Sequence, residues 1–395
     1  MPSMPQVTIV GGSVGGLTAA LVLRDIGCDV QVLERSSTAL QARGAGIAAL
    51  DATLRYLVTR GGLQPSAVCS STGWIRFLNH DGSIQHEQRH QYLFSSWNTI
   101  YRTLLSLFDA DRYALGAEVT GFSQEGDTVT ASLLSGSRVE SDLLVCADGI
   151  GSAARERLLP EVEPAYAGYV AWRGTLPEHD LSPGARKVLS DAITYQVLPH
   201  SHVLVYPIPA MDGSLTEGNR LMNIVWYVNV AAGGPLDTIM TDRSGRRRQI
   251  SLPPGAAACD VVAGMRRAAA DQLAIVIAEV MMGIPEPFIQ VVHDIEVPRM
   301  AFGRTCLLGD AAFAVRPHAA AGTAKAAADA WALADELVAA GGDVPVALAA
   351  WERRQLALGR SLLMRCRDIG DSSQFSGAFR PGDPRLIFGL YKPGE

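Results

Sequence analysis

The sequence predicts an α/β fold in which a Rossmann-like domain is interrupted by an inserted, mostly antiparallel β-sheet domain and followed by C-terminal helices. Residues 7–10 form a β-branched run that ends in glycines, and a helix and a second strand follow, as in a βαβ unit. Residues 143–147 and 305–308 are two more short apolar runs of the kind that buried parallel strands form. The middle third instead alternates between polar and apolar residues and is rich in turn residues, as antiparallel strands are.

These patterns divide the 395 residues into three parts. The first domain is discontinuous, with small β insertions, and covers residues 1–165 and 295–370. The β-sheet domain covers residues 166–294, and within it one helix is expected over residues 261–282. A tail rich in Pro and Gly covers residues 371–395 and is expected to drape over the body.

Composition narrows the class of protein. The net charge of −6 makes nucleic acid and anionic membrane surfaces poor partners. The six cysteines are scattered without a C-x-x-C pair, which favours reduced thiols in the cytoplasm over disulfides or a zinc site. The histidines also lack paired ligand spacing, so no metal is expected. The N-terminus carries no secretion signal, and no apolar stretch is long enough to span a bilayer.

A glycine-rich loop between the first strand and the first helix predicts a dinucleotide site. The loop contains Gly11, Gly12, Ser13, Gly15 and Gly16. In the pattern G-x-G-x-x-G, Ser13 stands at the second glycine, where a small side chain still lets the backbone approach a pyrophosphate. The helix start offers its free N–H groups to the phosphates. Glu34 ends the next strand, where an acid accepts hydrogen bonds from ribose hydroxyls. NAD, NADP and FAD all fit this unit.

Two acidic turns follow the other apolar runs. Asp148 and Gly149 come directly after residues 143–147, and Asp310 follows residues 305–308. Ligands bind at the carboxyl ends of the strands in open α/β sheets, so both acids are candidate ligand contacts. Alternatively, each acid stands in a strand-end turn and caps a helix.

In this order, the three motifs resemble those of the group A flavoprotein aromatic hydroxylases, which have the p-hydroxybenzoate hydroxylase fold. The resemblance covers residues 7 to about 360. Within the family the likeness is strongest to the dihydroxypyridine hydroxylases, in the stretches VGGSVGGLTAALVLRD, VAWRG, GDAAFAVRPHAAAGTAKAAADA and FGLYKP. It implies that the first domain binds FAD non-covalently and that the inserted sheet binds the substrate.

The resemblance also implies roles for single residues on the adenosine side. The pyrophosphate would lie against Gly11, Ser13, Gly15 and Gly16. Glu34 would hold the ribose, with Arg35 beside it. Arg102 would reach the diphosphate, and Val119 would meet the adenine through its backbone.

On the flavin side, the resemblance places Asp148 near both the flavin and the reduced nicotinamide. Asp310 would bind the ribityl chain, and Pro317 would lie beside the isoalloxazine. The pyrimidine edge would meet a helix start whose N–H groups stabilise the negative charge of reduced flavin. That segment consists of Ala320, Ala321, Gly322, Thr323 and Ala324. Ala320 and Ser13 each replace a glycine of the family pattern. Both are small, so FAD binding is still expected, whereas the exact position of the flavin is not implied.

The implied reaction is a hydroxylation. NADH or NADPH would reduce the flavin, and O2 would add at C4a to give a hydroperoxide. An electron-rich ring would then attack the distal oxygen of that hydroperoxide. The expected substrate is a small hydroxylated aromatic or N-heteroaromatic ring such as a hydroxypyridine, and the protein supplies orientation, a dry pocket and a proton path.

Candidates for proton transfer and substrate contact come from two segments. His318 follows Pro317 and would face the region between flavin and substrate as a base, unless it only hydrogen-bonds to backbone at a helix start. Tyr206 lies in the middle sheet, where its hydroxyl would orient a ring substituent, unless it is a core residue. The further candidates, each with the same structural alternative, are Trp226 or Tyr227, of which one faces inward, and His200 and His202.

Other functions fit part of this pattern. A reductase or halogenase of the same fold would share the FAD motifs, although the W-x-W-x-I-P stretch of the halogenases does not occur around Trp172 or Trp226. A flavin-based redox sensor would need a partner surface, which the sequence does not indicate. Both electron donors, NADH and NADPH, stay open, and a homodimer is one option for the assembly.

Overall fold

The secondary structure comes from a computed structural model that describes residues 4–40 and 45–395. Its strands are β1 (Gln6–Val10), β2 (Asp29–Glu34), β3 (Gly46–Ala48), β4 (Ser70–Leu78), β5 (Ile84–Ser96), β6 (Tyr113–Leu115), β7 (Val119–Glu125), β8 (Thr128–Leu133), β9 (Arg138–Ser141), β10 (Leu143–Cys146), β11 (Ala165–Pro177), β12 (Ala192–Leu198), β13 (Ser201–Ile208), β14 (Leu221–Asn229), β15 (Ser251–Leu252), β16 (Phe288–Asp294), β17 (Ala301–Phe302) and β18 (Thr305–Leu307). Its helices are α1 (Val14–Asp25), α2 (Asp51–Thr59), α3 (Trp97–Ser106), α4 (Ala153–Leu158), α5 (Pro183–Leu189), α6 (Gly234–Ile239), α7 (Cys259–Gln272), α8 (Ile275–Gly283), α9 (Gly322–Ala339) and α10 (Val344–Gln374).

A six-stranded sheet carries the three predicted motifs. Its order is β17-β18-β10-β1-β2-β6, and every pair except β17 with β18 is parallel. The short apolar runs form its buried centre, as expected for strands covered on both faces. Because β1, β10 and β18 are parallel neighbours, their carboxyl ends meet at one edge, and Gly11, Asp148 and Asp310 follow there.

A nine-stranded sheet forms the second part of the molecule, in the order β15-β16-β11-β14-β13-β12-β4-β5-β3. All its pairs are antiparallel except β12 with β4. One face packs with α7 and α8 into a separate apolar core. The other face carries many aromatic side chains and is turned toward the start of α9. A small antiparallel sheet of β7, β8 and β9 completes the described strands.

The nine-stranded sheet draws strands from outside the predicted β-sheet domain. Strands β3, β4 and β5 lie within residues 46–96, a stretch for which the sequence analysis predicts no long strands. Strand β5 contains the polar run HEQRHQ, so it lacks the alternation that marks a half-buried strand, and pairing with β4 supports it instead. The domain boundaries themselves stay a prediction.

The prediction of a single helix over residues 261–282 is wrong, because the chain forms two helices, α7 and α8, with a break between them. Leu273 and Ala274 are extended at the break. The side chain of Gln196 satisfies both helix ends there, since it donates to the Gln272 carbonyl at 2.9 Å and accepts from the Ala274 N–H at 2.7 Å. The break therefore depends on a residue about 75 positions away, which local sequence cannot reveal.

The C-terminal tail drapes over the body beyond α10, as predicted. The Phe388 N–H donates to the Tyr92 hydroxyl at 2.9 Å, and the Gly389 N–H donates to the Ala319 carbonyl at 3.2 Å. These bonds place the Phe388 ring against the nine-stranded sheet. In the described ranges, no helix combines the length and apolar character that a bilayer crossing requires.

Candidate functional site

The glycine loop after β1 is closed by backbone contacts that leave no room for side chains. Gly11 has φ +100°, and a Cβ there would lie 2.4 Å from the carbonyl oxygen of Ala147. A Cβ on Gly16 would lie 1.9 Å from the carbonyl oxygen of Gly11. Only glycine adopts a positive φ cheaply and lets two backbone segments approach this closely. Packing therefore requires the two glycines that match the dinucleotide pattern.

Helix α1 presents free backbone N–H groups beside this loop. Its first hydrogen bond runs from the Leu17 N–H to the Ser13 carbonyl at 2.8 Å, so the preceding amides have no helix partner. The Ser13 hydroxyl makes no capping bond and lines a cavity. Gly15 packs against α9, where its Cβ position lies 3.1 Å from the Cβ of Ala326. Free amides at the positive end of a helix favour an anion such as a pyrophosphate.

Glu34 fixes the loop from the end of β2. Its carboxylate accepts the Gly12 N–H at 2.9 Å and the Ser36 N–H at 2.8 Å, while the Gly12 carbonyl accepts the Tyr113 hydroxyl at 2.8 Å. A carboxylate can accept about four hydrogen bonds, so it retains capacity for ribose hydroxyls. Glu34 lines the same cavity as Ser13.

Two cavities join into one elongated cleft. The first cavity follows the glycine loop, and the predicted residues that line it are Gly11, Ser13, Glu34, Arg35, Val119, Asp148 and Gly149. The second cavity lies between the start of α9 and the nine-stranded sheet. Trp97 and Ile150 line both cavities, and Trp97 stacks on Tyr101 with ring centroids 4.9 Å apart. The cleft thus runs from one helix start to another.

Asp148 stands at the end of β10 with one carboxylate oxygen unsatisfied. The other oxygen accepts the Ala154 N–H at 3.2 Å. The first oxygen is buried and has no partner among the described residues. A buried polar atom without a partner is costly, so this oxygen is a candidate contact for a ligand.

Arg155 ties the second motif to the third. Its guanidinium is almost completely buried and donates to the Ile150 carbonyl at 2.8 Å and to the Ala311 carbonyl at 3.2 Å. Burial lowers the pKa of Arg155, and the Asp148 carboxylate opposes that change. The two turns therefore hold a fixed distance from each other, although the sequence analysis assigns no role to Arg155.

Asp310 follows β18 and lines the second cavity. Its side chain is open to the cleft but is surrounded by many protein atoms, which reduces its hydration. The reduced hydration raises the pKa of Asp310, and the Lys325 ammonium opposes this rise. Lys325 forms an ion pair with Asp329 at 2.7 Å in which both side chains are buried. The Gly309 N–H donates to the same carboxylate at 2.9 Å, so the pair fixes the turn that carries Asp310.

The start of α9 faces the second cavity with free amides. Its first hydrogen bond runs from the Lys325 N–H to the Ala321 carbonyl at 2.8 Å, which leaves three N–H groups without helix partners. Those amides belong to Gly322, Thr323 and Ala324. The predicted residues that line the cavity here are Pro317, Ala320, Ala321, Gly322 and Thr323. Ala324 is completely buried and does not line the cavity, so the contact of its amide with a ligand stays a prediction.

Ala320 has a backbone conformation that favours glycine. Its φ is +53° and its ψ is +26°, in the left-handed region. This conformation costs a non-glycine residue about 1–2 kcal/mol. Ala320 is therefore locally strained at a position where the resemblance expects a glycine.

The nine-stranded sheet lines the other side of the second cavity with alternate residues of three strands. These are Ala171 and Arg173 from β11, Leu204 and Tyr206 from β13, and Val225 and Tyr227 from β14. Side chains alternate between the faces of a strand, so Trp226 points into the core behind the sheet. Of the predicted pair, Tyr227 is therefore the residue that faces the cavity.

Polar groups cluster at this part of the second cavity. Arg173 donates to the Gln290 side-chain oxygen at 2.8 Å and to the Gly46 carbonyl at 3.2 Å. Tyr206 stacks on Phe94 with centroids 4.2 Å apart. Burial raises the pKa of Tyr206 to about 12, and the Arg173 charge opposes the rise. At neutral pH the Tyr206 hydroxyl is therefore a hydrogen-bond donor and not a base.

The candidate histidines occupy other positions. His318 lies behind Pro317, outside the set that lines the second cavity, and its Nε2 is 2.6 Å from the Tyr169 hydroxyl. Burial lowers its pKa well below the usual value, and its Nδ1 has no partner in the described chain. Its role as the base stays a prediction. His202 is buried beside it and bonds to Ser373 at 3.1 Å, whereas His200 is exposed in the turn after β12.

Arg102 does not line either cavity of the cleft. It is exposed on α3, with its guanidinium 3.5 Å from the Met211 carbonyl, and it lies on a different side of the helix from Trp97. Its contact with a diphosphate therefore stays a prediction. Within residues 4–40 and 45–395, no three His, Cys, Asp or Glu side chains converge as metal ligands would.

The residues of the cleft fit FAD. The first cavity offers a helix start to a pyrophosphate and Glu34 to a ribose. The second offers Asp310 to a polyol and the α9 amides to an electron-rich ring edge. Asp148, whose buried Oδ1 has no partner among the described residues, also lines the first cavity. One extended molecule with a nucleotide at one end and a polar ring system at the other would satisfy all these groups.

Sequence comparison agrees with this geometry. Residues 4–185 match the family described as FAD binding domain, and residues 166–294 match the one described as FAD binding domain-like. The chain is 37% identical to 2,6-dihydroxypyridine 3-monooxygenase of Paenarthrobacter nicotinovorans, over 100% of this chain and 98% of that protein. It is 28% identical to an aurachin C monooxygenase/isomerase of Stigmatella aurantiaca, over 94% of this chain and 91% of that protein.

Comparison of folds gives the same picture. The structure of 2,6-dihydroxypyridine-3-hydroxylase from Arthrobacter nicotinovorans superposes with a TM-score of 0.93 at 35% identity, covering 100% of this chain and 99% of that one. Klebsiella pneumoniae HpxO, complexed with FAD and uric acid, superposes with a TM-score of 0.76 at 21% identity, over 96% and 90% of the two chains. The second likeness shows a shared fold alone.

Proposed function

Because the chain belongs to the FAD-dependent aromatic monooxygenases that share this FAD-binding domain, we propose that its substrate is a dihydroxypyridine or a close analogue. The enzyme uses FAD and NAD(P)H, with O2 as the oxidant. The observation that carries the proposal is the polar cluster of the second cavity, formed by Arg173, Tyr206 and Gln290. These side chains offer donors and acceptors to a small ring that bears two oxygens and a nitrogen.

The relatives support a small oxygenated ring. The relative and the solved structure that span the whole chain are named for hydroxylation of 2,6-dihydroxypyridine at position 3. Another relative, 27% identical, is named for 3-amino-4-hydroxybenzoate. We infer that 2,6-dihydroxypyridine is the first substrate to test.

The second cavity combines this polar cluster with apolar walls. Leu204, Val225 and Phe388 line it beside the polar side chains, and Phe388 comes from the C-terminal tail. FAD, when bound, carries electrons from NAD(P)H to O2 and transfers one oxygen atom to the ring. The apolar walls keep water away from that region, and a dry site strengthens each polar contact within it.

Two features of the chain assist the chemistry without forming bonds to the substrate. The free amides at the start of α9 stabilise negative charge at the pyrimidine edge of the flavin. The Tyr206 hydroxyl, protonated at neutral pH, donates to a ring oxygen and orients the substrate.

The test is a coupled assay with purified protein. We expect the protein to release FAD on denaturation and to oxidise NAD(P)H faster when 2,6-dihydroxypyridine is added. With ¹⁸O2, the product should gain one labelled oxygen atom. The variant Tyr206→Phe lacks only the hydroxyl, so it should keep FAD and raise the substrate KM about tenfold, the cost of one net hydrogen bond.

Two results would contradict the proposal. One is accelerated NAD(P)H oxidation that yields only hydrogen peroxide with every hydroxypyridine, while another ring class gains labelled oxygen. The other is a protein that holds FAD but shows no acceleration with any ring, which would favour the reductase or sensor alternatives. A cytoplasmic location and a homodimer stay predictions of the sequence.

A further inference from the structure

Arg173 brings a fixed positive charge to the second cavity. It lies on β11 beside Ala171 on the cavity face, while Trp172 between them packs into the core behind the sheet. Among the described residues that line this cavity, Arg173 is the only Arg or Lys. Arginine stays protonated at every pH at which the protein is folded, so the charge is permanent.

The hydrogen bonds of Arg173 leave that charge uncompensated. The Gln290 side-chain oxygen and the Gly46 carbonyl, which accept its hydrogen bonds, are both neutral. They hold the guanidinium in place without cancelling its charge. Its Nε–H is buried and has no acceptor among the described residues. A buried donor without an acceptor is costly, and an oxygen of a ligand in the cavity can supply the acceptor.

The charge reaches the hydroxyl groups of the cavity. Burial raises the pKa of both Tyr206 and Tyr227, and in each case Arg173 is the main opposing influence. The guanidinium therefore favours an anionic oxygen at this position. A ring oxygen of a substrate bound beside Tyr206 would experience the same attraction.

We propose that Arg173 binds a ring oxygen of the substrate and selects the deprotonated form of the ring. This inference rests on the proposed function, which supplies a hydroxylated ring as the ligand. The anion is captured from solution, so its proton stays with solvent and no base in the cavity has to remove it. An anionic ring is also the more electron-rich form, which is the form that an electrophilic oxygen attacks.

The experiment compares three variants of the FAD-loaded protein. Arg173→Gln removes the charge, and Arg173→Lys keeps the charge but lacks the planar guanidinium group. Arg89→Gln is the control, because it removes an exposed arginine that lies on the same sheet but outside the cavity. The ligands are 2,6-dihydroxypyridine and 4-nitrocatechol, whose anion is coloured. Binding is measured by difference absorbance between about pH 5 and pH 9, a range that covers ordinary protein stability.

We expect the wild type and Arg89→Gln to bind more tightly as the free ligand ionises and to hold 4-nitrocatechol as its coloured anion at a pH where the free ligand is still protonated. Arg173→Gln should keep its FAD, lose about 30-fold or more in affinity at high pH, and show no such colour shift. Arg173→Lys should retain part of both effects, which a purely structural role for the residue would not produce.

The outcomes separate this inference from the proposed function. If Arg173→Gln, fully loaded with FAD, binds the coloured anion as the wild type does, the inference about Arg173 is overturned and the hydroxylation still stands. If the wild type hydroxylates no hydroxypyridine but selects the 4-nitrocatechol anion through Arg173, the proposed substrate falls and the role of Arg173 stands.

Discussion

The first and second cavities are built by different means. Beside the first cavity, backbone segments pack directly against each other at Gly11 and Gly16, where a side chain has no room. In the second cavity, the polar contacts come from side chains on one face of a wide sheet, such as Arg173 and Tyr206. The first depends on a few consecutive residues, and the second on residues from separate strands.

This difference separates what holds the cofactor from what chooses the substrate. A backbone site tolerates almost no substitution, because each contact is part of the fold. A side-chain site can change one residue at a time while the sheet beneath it stays intact. Substitutions in the two cavities should therefore differ in kind as well as in size.

Gly16→Ala should give the largest effect, if the first cavity depends on backbone packing. The new Cβ would lie 1.9 Å from the Gly11 carbonyl oxygen, and neither segment can move without opening the βαβ unit. We expect the free energy of unfolding to fall by about 3 kcal/mol or more and bound FAD to be lost. Denaturant unfolding and flavin content measure both.

The matched control is Gly234→Ala, whose Cβ would meet no atom within 4 Å. It should keep its FAD and stay within about 0.5 kcal/mol of the wild type. Wild-type stability and full FAD in Gly16→Ala would show that the backbone contact does not govern the first cavity.

Asp310→Asn tests the acid that, among the described residues, lines the second cavity. It removes the charge and keeps the shape, so we expect the Kd for FAD to rise about 10- to 100-fold through weaker hydrogen bonds. Titration of apoprotein with FAD measures this. Asp335→Asn, which changes an exposed acid on helix α9, is the control and should bind FAD normally. Equal affinities in the two variants would argue against a contact between Asp310 and the cofactor.

Acid should act on the packing behind the second cavity through His202. Burial lowers its pKa from 6.5 to about 3, so the folded protein binds this proton less readily than the unfolded chain. The stability that neutral His202 provides is complete above about pH 6.5 and is lost as pH falls toward about pH 3.

Between about pH 7 and pH 5, this residue should remove about 2 kcal/mol from the free energy of unfolding. His202→Asn should show a smaller fall over the same interval, whatever its stability at pH 7. Denaturant unfolding at a series of pH values gives both slopes. Parallel slopes for the two proteins would mean that His202 is not buried in its neutral form.

Ala320→Gly should give the smallest effect, and with the opposite sign. Its φ of +53° is strained for alanine, and glycine removes the strain at the cost of a more flexible unfolded chain. We expect a net gain of about 0.5 kcal/mol in the free energy of unfolding. The neighbouring control Ala321→Gly has φ −109° and should lose stability instead. A loss in both variants would refute the strain at Ala320.

The same difference explains how much the sequence could predict. The glycine loop, Asp148 and Asp310 were predictable because each motif is local and follows a buried strand. Strand β5 was missed because its polar run is supported by pairing and not by alternation. The break between α7 and α8 was missed because Gln196 lies far away in the chain.

The side chains of the second cavity were only partly predictable for a related reason. Strand alternation predicts that only one of Trp226 and Tyr227 faces the cavity, but it does not tell which one. Arg173 alternates with Ala171 in the stretch VAWRG, a signal that could have placed it on the cavity face, but its meeting with Gln290 depends on the pairing of β11 with β16. Contacts across a sheet depend on register, which a single sequence does not contain.

A crystal structure of the protein with FAD and 2,6-dihydroxypyridine is the most direct test of the two-cavity account. We predict the pyrophosphate at the start of α1, the flavin ring at the start of α9, and a ring oxygen of the ligand within hydrogen-bond distance of Arg173. The account is contradicted if FAD lies outside the first cavity, or if the ligand turns its oxygens away from the nine-stranded sheet.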